Sequence, residues 1–177
     1  MNEELNEIYK KLIDTITTMK RVCVAYSGGV DSALLLKVSV DTLGKKQVMA
    51  VTAIFSTYTE SEKTIAADIA RHIDVKHILL GTKETDDPEF IENNPERCYH
   101  CKKNFFKELV NVAHAYGFAN ICDGSNVDDI NDYRPGKRAA EEFGIKSPLT
   151  EAGFHKEDIR SLSRELGLPG WERPANP

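Results

Sequence analysis

The sequence predicts a three-layer, doubly wound α/β domain with a parallel sheet of about five strands. Short, apolar, β-rich runs alternate along the chain with longer segments of helical period, and that order implies parallel pairing through right-handed crossovers. The runs, such as Val22-Cys23-Val24-Ala25 and Val48-Met49-Ala50-Val51, are apolar without alternation, as in strands covered on both faces. The composition agrees. With 41% hydrophobic and 29% charged residues over 177 positions, the chain has the make-up and length of a single globular domain.

Each element has its own signature. Leu5, Ile8, Leu12, Ile13, Ile16 and Met19 recur at helical spacing between charged residues, which predicts an amphipathic helix over Asn2 to Lys20. Arg21 to Tyr26 is the first strand. Val30 to Leu43 is apolar almost all round, hence a buried helix, and Gly44 fits its C-terminal stop. Val48 to Phe55 is the second strand. Thr59 and Glu62 form a capping-box pattern that opens a helix running to Ile73. Val75 to Leu80 is the third strand, and Lys83 to Glu96, rich in Asp, Asn and Pro, reads mainly as loop. A helix follows from about Tyr99 to Tyr116, then a fourth strand at Ala119 to Cys122. Pro135 to Phe143 and His155 to Leu166 read as helices around a short extended piece near Ser147-Pro148-Leu149.

Several function classes are excluded by the same residues. No apolar run reaches the ~20 residues that span a bilayer. Met1-Asn2-Glu3-Glu4 is acidic where a secretory signal is basic, and no apolar stretch follows. The net charge of −5 argues against a nucleic-acid partner held by a basic surface. Four cysteines without an export signal fit a reducing compartment, so the expected location is the cytoplasm, with no membrane partner. Homo-oligomerisation is left open.

In such sheets ligands bind at the carboxyl ends of the strands, near the switch in strand order. Function is therefore expected in the loops after Tyr26, Phe55, Cys122 and Leu149. The first of these is Ser27-Gly28-Gly29-Val30-Asp31-Ser32. Its glycines let backbone N–H groups approach an anion, the following helix points its positive end at the same place, and Ser27 and Ser32 add hydroxyls. Asp31 would repel a phosphate unless a cation lay between them, which points to Mg²⁺ or to a role in holding the loop. The lysine of a Walker loop is absent. Two glycines alone also fit a plain strand-to-helix turn.

The loop after the fourth strand is Gly124-Ser125-Asn126-Val127-Asp128-Asp129. Gly124 would admit the nucleotide to the backbone, Asn126 would orient the loop, and Asp128 would hold a metal or a substrate hydroxyl. An Asx-rich turn is the alternative, with Asp129 and Asp132 simply solvated. Arg134, before Pro135-Gly136, fits either a bidentate clamp on an anion or a surface residue before a helix.

Cys98 and Cys101 lie three apart at a helix start, where thiolates are favoured. A metal, a redox or a packing role all remain open for this pair. Cys23 and Cys122 lie within strands and read as core. His72, His77 and His155 show no pairing pattern and read as surface residues.

The Ser27–Ser32 string resembles the SGGxDS signature of the PP-loop ATP pyrophosphatases, and Gly124–Asp129 resembles the G-(S/T)-N-x-x-D element of the same superfamily. The adenine nucleotide alpha hydrolase-like, Rossmann-like fold of that superfamily is what the resemblance implies. Further on, Asn94-Pro95-Glu96-Arg97-Cys98-Tyr99-His100-Cys101-Lys102 looks like a stretch of the ATP-dependent sacrificial sulfur transferases of the LarE type. So do Tyr133-Arg134-Pro135-Gly136, Ala139-Ala140-Glu141, Gly144-Ile145, Ser147-Pro148-Leu149, Glu151-Ala152-Gly153 and Leu166-Gly167-Leu168-Pro169 with Trp171 and Pro174. The resemblance runs from about Val22 to Pro174.

It implies an enzyme that binds ATP and adenylates a carboxylate of a pyridinium mononucleotide, releasing pyrophosphate. Sulfur then replaces the activated oxygen, on the way to the nickel-pincer nucleotide cofactor of lactate racemase. Some members take the sulfur from their own cysteine, and others are thought to use a cluster-bound sulfide. The implied nucleotide-binding residues are Ala25, Ser27, Gly28, Gly29, Val30, Asp31 and Ser32 from the first loop. Ala53 and Ser56 would border adenine, and Gly124 and Asn126 the ribose side. Asp31 and Arg134 are the implied catalytic residues, and Asp31 with Asp128 the implied ligands of Mg²⁺. In the family the donor cysteine follows the Trp-x-x-Pro segment, and this chain stops at Pro177, before that position. The expectation is therefore an ATP-binding domain over 1–168, with 169–177 starting a linker to a missing C-terminal domain. Another PP-loop enzyme, either a tRNA thiolase or an ammonia-dependent amidating synthetase, and a non-catalytic module for ATP or AMP stand as alternatives.

Overall fold

The computed structural model describes residues 2–55, 59–81, 97–131 and 135–173, without the side chains of Arg97, Cys98, His100, Cys101, Asn131, Pro135 and Gly136. The chain runs α1 (Glu3–Met19), β1 (Val22–Ala25), α2 (Val30–Leu43), β2 (Val48–Ile54), α3 (Glu60–Ile73) and β3 (Lys76–Gly81). It continues through α4 (Arg97–Ala115), β4 (Asn120–Cys122), α5 (Pro135–Glu142), α6 (Pro148–Ala152) and α7 (Lys156–Glu165). One-turn 3-10 segments lie at Lys45–Gln47 and Val127–Asn131.

Local chemistry sets the helix starts. The Asn2 side chain accepts from the Leu5 N–H at 2.8 Å, and Thr59 and Glu62 form the reciprocal capping box that their spacing predicts. The Gly44 backbone has φ +82° and ends α2.

All strand pairs are parallel, in the order β3-β2-β1-β4. Their residues alternate between two cores. Val22, Val24, Tyr26, Val48 and Ala50 pack with α1, α2, α3, α6 and α7, whereas Cys23, Met49, Val51 and Ala53 pack under α4 and α5. Burial on both faces explains why β1 and β2 read as continuous apolar runs.

Among the described residues the sheet has four strands, where about five were expected. The piece near Ser147-Pro148-Leu149 is not extended. Lys146 makes one bridge to Cys122, and α6 begins at Pro148. Pro148 has no N–H for a ladder, and its fixed φ suits a first helical turn, so the strand stops before it forms.

The order also fixes the functional end. From β1 the chain moves through α2 to β2 on one side, and it returns through α4 to β4 on the other. The carboxyl ends of β1 and β4 thus frame the crevice at the reversal of strand order. No described helix is long and apolar enough to cross a membrane.

Candidate active site

The loop after β1 is held by its two serines. The Ser27 N–H donates to Ser32 Oγ at 3.2 Å, Ser32 Oγ donates to the Gly29 carbonyl at 3.2 Å, and the Gly29 N–H donates to Ser27 Oγ at 3.2 Å. The two hydroxyl oxygens are 3.1 Å apart. Gly29 is the N-cap of α2 and makes no side-chain cap bond, so the first-turn N–H groups of α2 have no capping side chain and could serve an anion.

Two glycines let this loop close on its neighbours. Gly28 has φ +80°, and a Cβ there would meet the Ala66 Cβ of α3 at 3.0 Å. At Gly124 a Cβ would lie 2.7 Å from the Ser32 backbone nitrogen. The loops after β1 and β4 therefore touch backbone to backbone, which only glycine at 124 permits.

Asp31, in the first turn of α2, faces Lys156 at the start of α7. The ammonium lies 2.6 and 2.5 Å from the two carboxylate oxygens. Burial raises the Asp31 carboxyl above its ordinary value, against the lowering pull of Lys156, and the nearby charge of Asp129 adds to the rise. No local pattern in the sequence marks Lys156. The reading places a helix there, but not which strand end it faces.

Asp128, expected beside Asp31 as a metal ligand, is engaged elsewhere. Its carboxylate accepts the Lys156 N–H at 2.8 Å and lies 2.7 Å from His155 Nδ1. These bonds hold it below the usual carboxylate range, the Lys156 N–H first and His155 second, while the same contact raises His155. The carboxylate of this loop that borders the crevice is Asp129, which also accepts the Asn126 N–H at 3.0 Å.

Ala25, Ser27, Asp31, Ser32, Ala53 and Gly124 converge on one cleft of about 280 Å³, near the lower end of the ~300–1,000 Å³ common for small-molecule sites. Gly28, Gly29 and Val30 shape the loop rather than line the cleft. Asn126 is buried and lines a neighbouring cavity instead. Ser56 and Arg134 lie outside the described residues, and so do the side chains of Cys98 and Cys101. The sequence reading missed an apolar wall. Phe55 and Phe105 line the cleft, with rings edge-on at 6.5 Å between centroids.

His155 is exposed, as expected, but is paired with Asp128, and His77 is half-buried and paired. His77 Nε2 lies 2.7 Å from Thr52 Oγ1, which itself donates to the Tyr26 carbonyl at 2.6 Å, one residue before the loop. Because the hydroxyl proton goes to Tyr26, the histidine donates through Nε2. Burial lowers its pKa. Cys23 and Cys122 are fully buried, and burial pushes the Cys23 thiol up to about 12. Neither is a candidate nucleophile. Among the described residues no group of three or more His, Cys, Asp or Glu side chains could hold a metal ion.

Relatives match this architecture. Pyridinium-3,5-bisthiocarboxylic acid mononucleotide synthase of Lactiplantibacillus plantarum is 38% identical over 165 residues, which cover 93% of this chain and 60% of that protein. An uncharacterized protein of Synechocystis sp. is 42% identical over 159 residues, 90% of this chain and 59% of that one. The chain thus spans about 60% of the length of these relatives. The structure of glutamine-dependent NAD+ synthetase from Acinetobacter baumannii in complex with ADP superposes with a TM-score of 0.75 at 19% identity, over 97% of this chain and 36% of that one, a likeness of fold. Residues 2–123, which include β1, the Ser27–Ser32 loop and β4, match the NAD synthase family. With a parallel sheet in this order and that loop at its switch point, the chain belongs to the NAD synthase family of PP-loop domains.

Proposed function

We propose that this chain is the ATP-binding and adenylating domain of a LarE-like sulfur transferase. The observation that carries the reading is the backbone contact of Gly124 with Ser32, which joins the two motif loops into one anion-binding crevice beside Asp31. The 38% identity to a pyridinium mononucleotide synthase over 93% of the chain supports the choice of branch within the family.

In this reading a carboxylate oxygen of a pyridinium mononucleotide attacks the α-phosphorus of ATP. The bond from that phosphorus to the bridging oxygen breaks, pyrophosphate leaves, and an acyl adenylate forms. No general base is required, because the attacking carboxylate is ionised at neutral pH. The N–H groups of the α2 first turn, with the Ser27 and Ser32 hydroxyls, would hold the departing pyrophosphate by preorganised donors. Lys156 would supply a fixed positive charge beside it. Ala53, Phe55 and Phe105 would border the base.

Mg²⁺ usually takes one or two carboxylates plus substrate phosphates. Asp31, a partly exposed carboxylate on the cleft, would meet that requirement if Lys156 released one of its oxygens, and Asp129 is a second carboxylate on the same cleft. Asp128 does not contribute, since His155 and Lys156 occupy it. Bound there, the ion would neutralise phosphate charge. Sulfur replacing AMP on the adenylate, and the use of the product for a nickel-pincer nucleotide, complete the proposal.

The test is pyrophosphate release from ATP and Mg²⁺, with and without pyridinium-3,5-dicarboxylate mononucleotide. Release that requires the mononucleotide is expected. ATP binding with no mononucleotide-dependent release would remove the adenylating role from this domain. Membership of the NAD synthase family favours one second reading, ammonia-dependent amidation. Ammonium-stimulated release with a different acid would support that one instead.

A further inference from the structure

The Tyr26–Ser27 peptide joins β1 to the anion loop, and its plane is held from both sides. Its carbonyl accepts the Thr52 hydroxyl at 2.6 Å, and its N–H donates to Ser32 Oγ at 3.2 Å. Thr52 is met in turn by His77, whose Nε2 lies 2.7 Å from Thr52 Oγ1. We propose that His77 is a positioning residue for the anion loop, acting through Thr52 and this one peptide plane. The inference rests on the reading of the Ser27–Ser32 loop as the grip for ATP phosphates. It adds a residue two strands away that sets how the chain enters that loop.

The direction of each bond is the first argument. Thr52 Oγ1 has one proton and gives it to the Tyr26 carbonyl, so the imidazole N–H donates to Thr52. In a trans peptide, as here, the C=O and the N–H point in opposite directions. Fixing the Tyr26 carbonyl on the β2 side therefore aims the Ser27 N–H at Ser32. One continuous chain results, from imidazole to hydroxyl to peptide to the Ser32 hydroxyl. Hydrogen bonds in such a chain polarise one another, so losing the first weakens the rest.

Placement is the second. β3 lies at the edge of the sheet, with β2 between it and β1. His77, Thr52 and Tyr26 step across these three strands at the end where the cleft opens. Thr52 is 1% exposed and lines that cleft, yet its proton is committed to the main chain of the loop entry and not to a ligand.

The third argument is a second route from the same histidine. Its ring meets the Tyr26 ring edge-on, at 5.5 Å between centroids and 74° between planes. Tyr26 OH donates to the Ala66 carbonyl of α3 at 3.2 Å, and Ala66 is the residue that a Cβ at Gly28 would strike. His77 thus bears on the residue before the loop twice, through Thr52 on its main chain and directly on its ring. An apolar side chain at 77 would fill the space but could not donate.

The experiment is calorimetry with Mg²⁺ and either ATP or AMP, on the whole chain and on His77→Leu, His77→Gln and Thr52→Val. In the anion-loop reading ATP reaches the loop with its β- and γ-phosphates, and AMP does not. His77→Leu and Thr52→Val should weaken ATP by about tenfold, the effect of one lost hydrogen bond. AMP should be nearly unchanged. His77→Gln, whose amide nitrogen can donate in place of Nε2, should recover most of the loss. A merely structural role would move both nucleotides together and would not be rescued by glutamine. Unchanged ATP affinity in His77→Leu and Thr52→Val, or an equal loss for ATP and AMP, would overturn the positioning role. If His77→Leu does not fold, Thr52→Val decides the matter by the same readout. Tight ATP binding by the wild type would survive either result and keep the anion-loop reading. A wild type that binds ATP no better than AMP would overturn that reading and this inference with it.

Discussion

Lys156 holds both carboxylate oxygens of Asp31, at 2.6 and 2.5 Å, and so ties the start of α7 to the start of α2 across 125 residues of sequence. Burial nevertheless keeps the Asp31 carboxyl above its ordinary value. The folded chain therefore binds that proton more tightly than the unfolded chain. The stability linked to Asp31 is fully present below the unfolded value near pH 4, and it is lost as pH rises through the folded value. The ion pair only partly offsets desolvation. Asp31→Asn should thus melt no lower than the wild type at pH 7, with any advantage shrinking below about pH 4. Mg²⁺-ATP affinity, measured by calorimetry, should fall sharply in the same variant. A variant that melts well below the wild type at pH 7 would show that the pair outweighs burial, and unchanged Mg²⁺-ATP affinity would remove Asp31 from metal binding.

In the proposed adenylation, Lys156 would act on the leaving group. Lys156→Met should slow pyrophosphate release by about a hundredfold, the effect of removing one preorganised charge from a transition state. Lys156→Arg, which keeps the charge, should recover part of the loss. If release is equally slow in both, position rather than charge is what matters.

Gly124 has backbone on the side where a Cβ would stand. Gly124→Ala must push the loop after β4 away from Ser32, since the contact would be 2.7 Å to a main-chain nitrogen. A cost of about 1–3 kcal/mol is expected in chemical denaturation. Nucleotide binding should weaken further than stability alone explains, because the displaced residue is in the anion loop. A Gly124→Ala protein with wild-type nucleotide affinity would count against the contact.

The His155–Asp128 pair gives a pH signature. His155 is raised, so its contribution is present below the unfolded value near pH 6.5 and fades as pH rises through the folded one. Asp128 is lowered, so its contribution is present above the unfolded value near pH 4 and fades as pH falls through the folded one. Both fall together only at about pH 4–6.5. The melting difference between wild type and Asp128→Asn should therefore be largest in that window and smaller at pH 8, where only the Lys156 N–H bond remains. Both groups are exposed, so the difference should be small and should shrink with salt. A difference that is flat with pH would mean that the histidine stays uncharged.

Much of this molecule is local and therefore readable in one dimension. The buried strands announce themselves because they are covered on both faces. The α3 start does so through Thr59 and Glu62, and the anion loop through Ser27–Ser32. The misreadings come where a residue's partner is remote. Ser147–Leu149 looked extended because three residues between two helical segments are too few to show a period, and Pro148 fits either an extended piece or a first helical turn. Asp128 stands in a motif loop, but its neighbours in space are the first residues of α7, which no local pattern shows. His77 looked solvated because Thr52 and Tyr26 are far away in sequence.

Fold class, strand–helix order and the two loops that meet at the crevice are legible along the chain, since periodicity, capping and glycine placement act between near neighbours. Packing across the sheet settles which carboxylate Lys156 meets, that Asp129 rather than Asp128 borders the cleft, and that Asn126 lines a separate cavity. Those choices depend on how α7 and the loop after β4 pack across the sheet. That packing is set by the summed burial of both cores and leaves no mark at any one position in the chain.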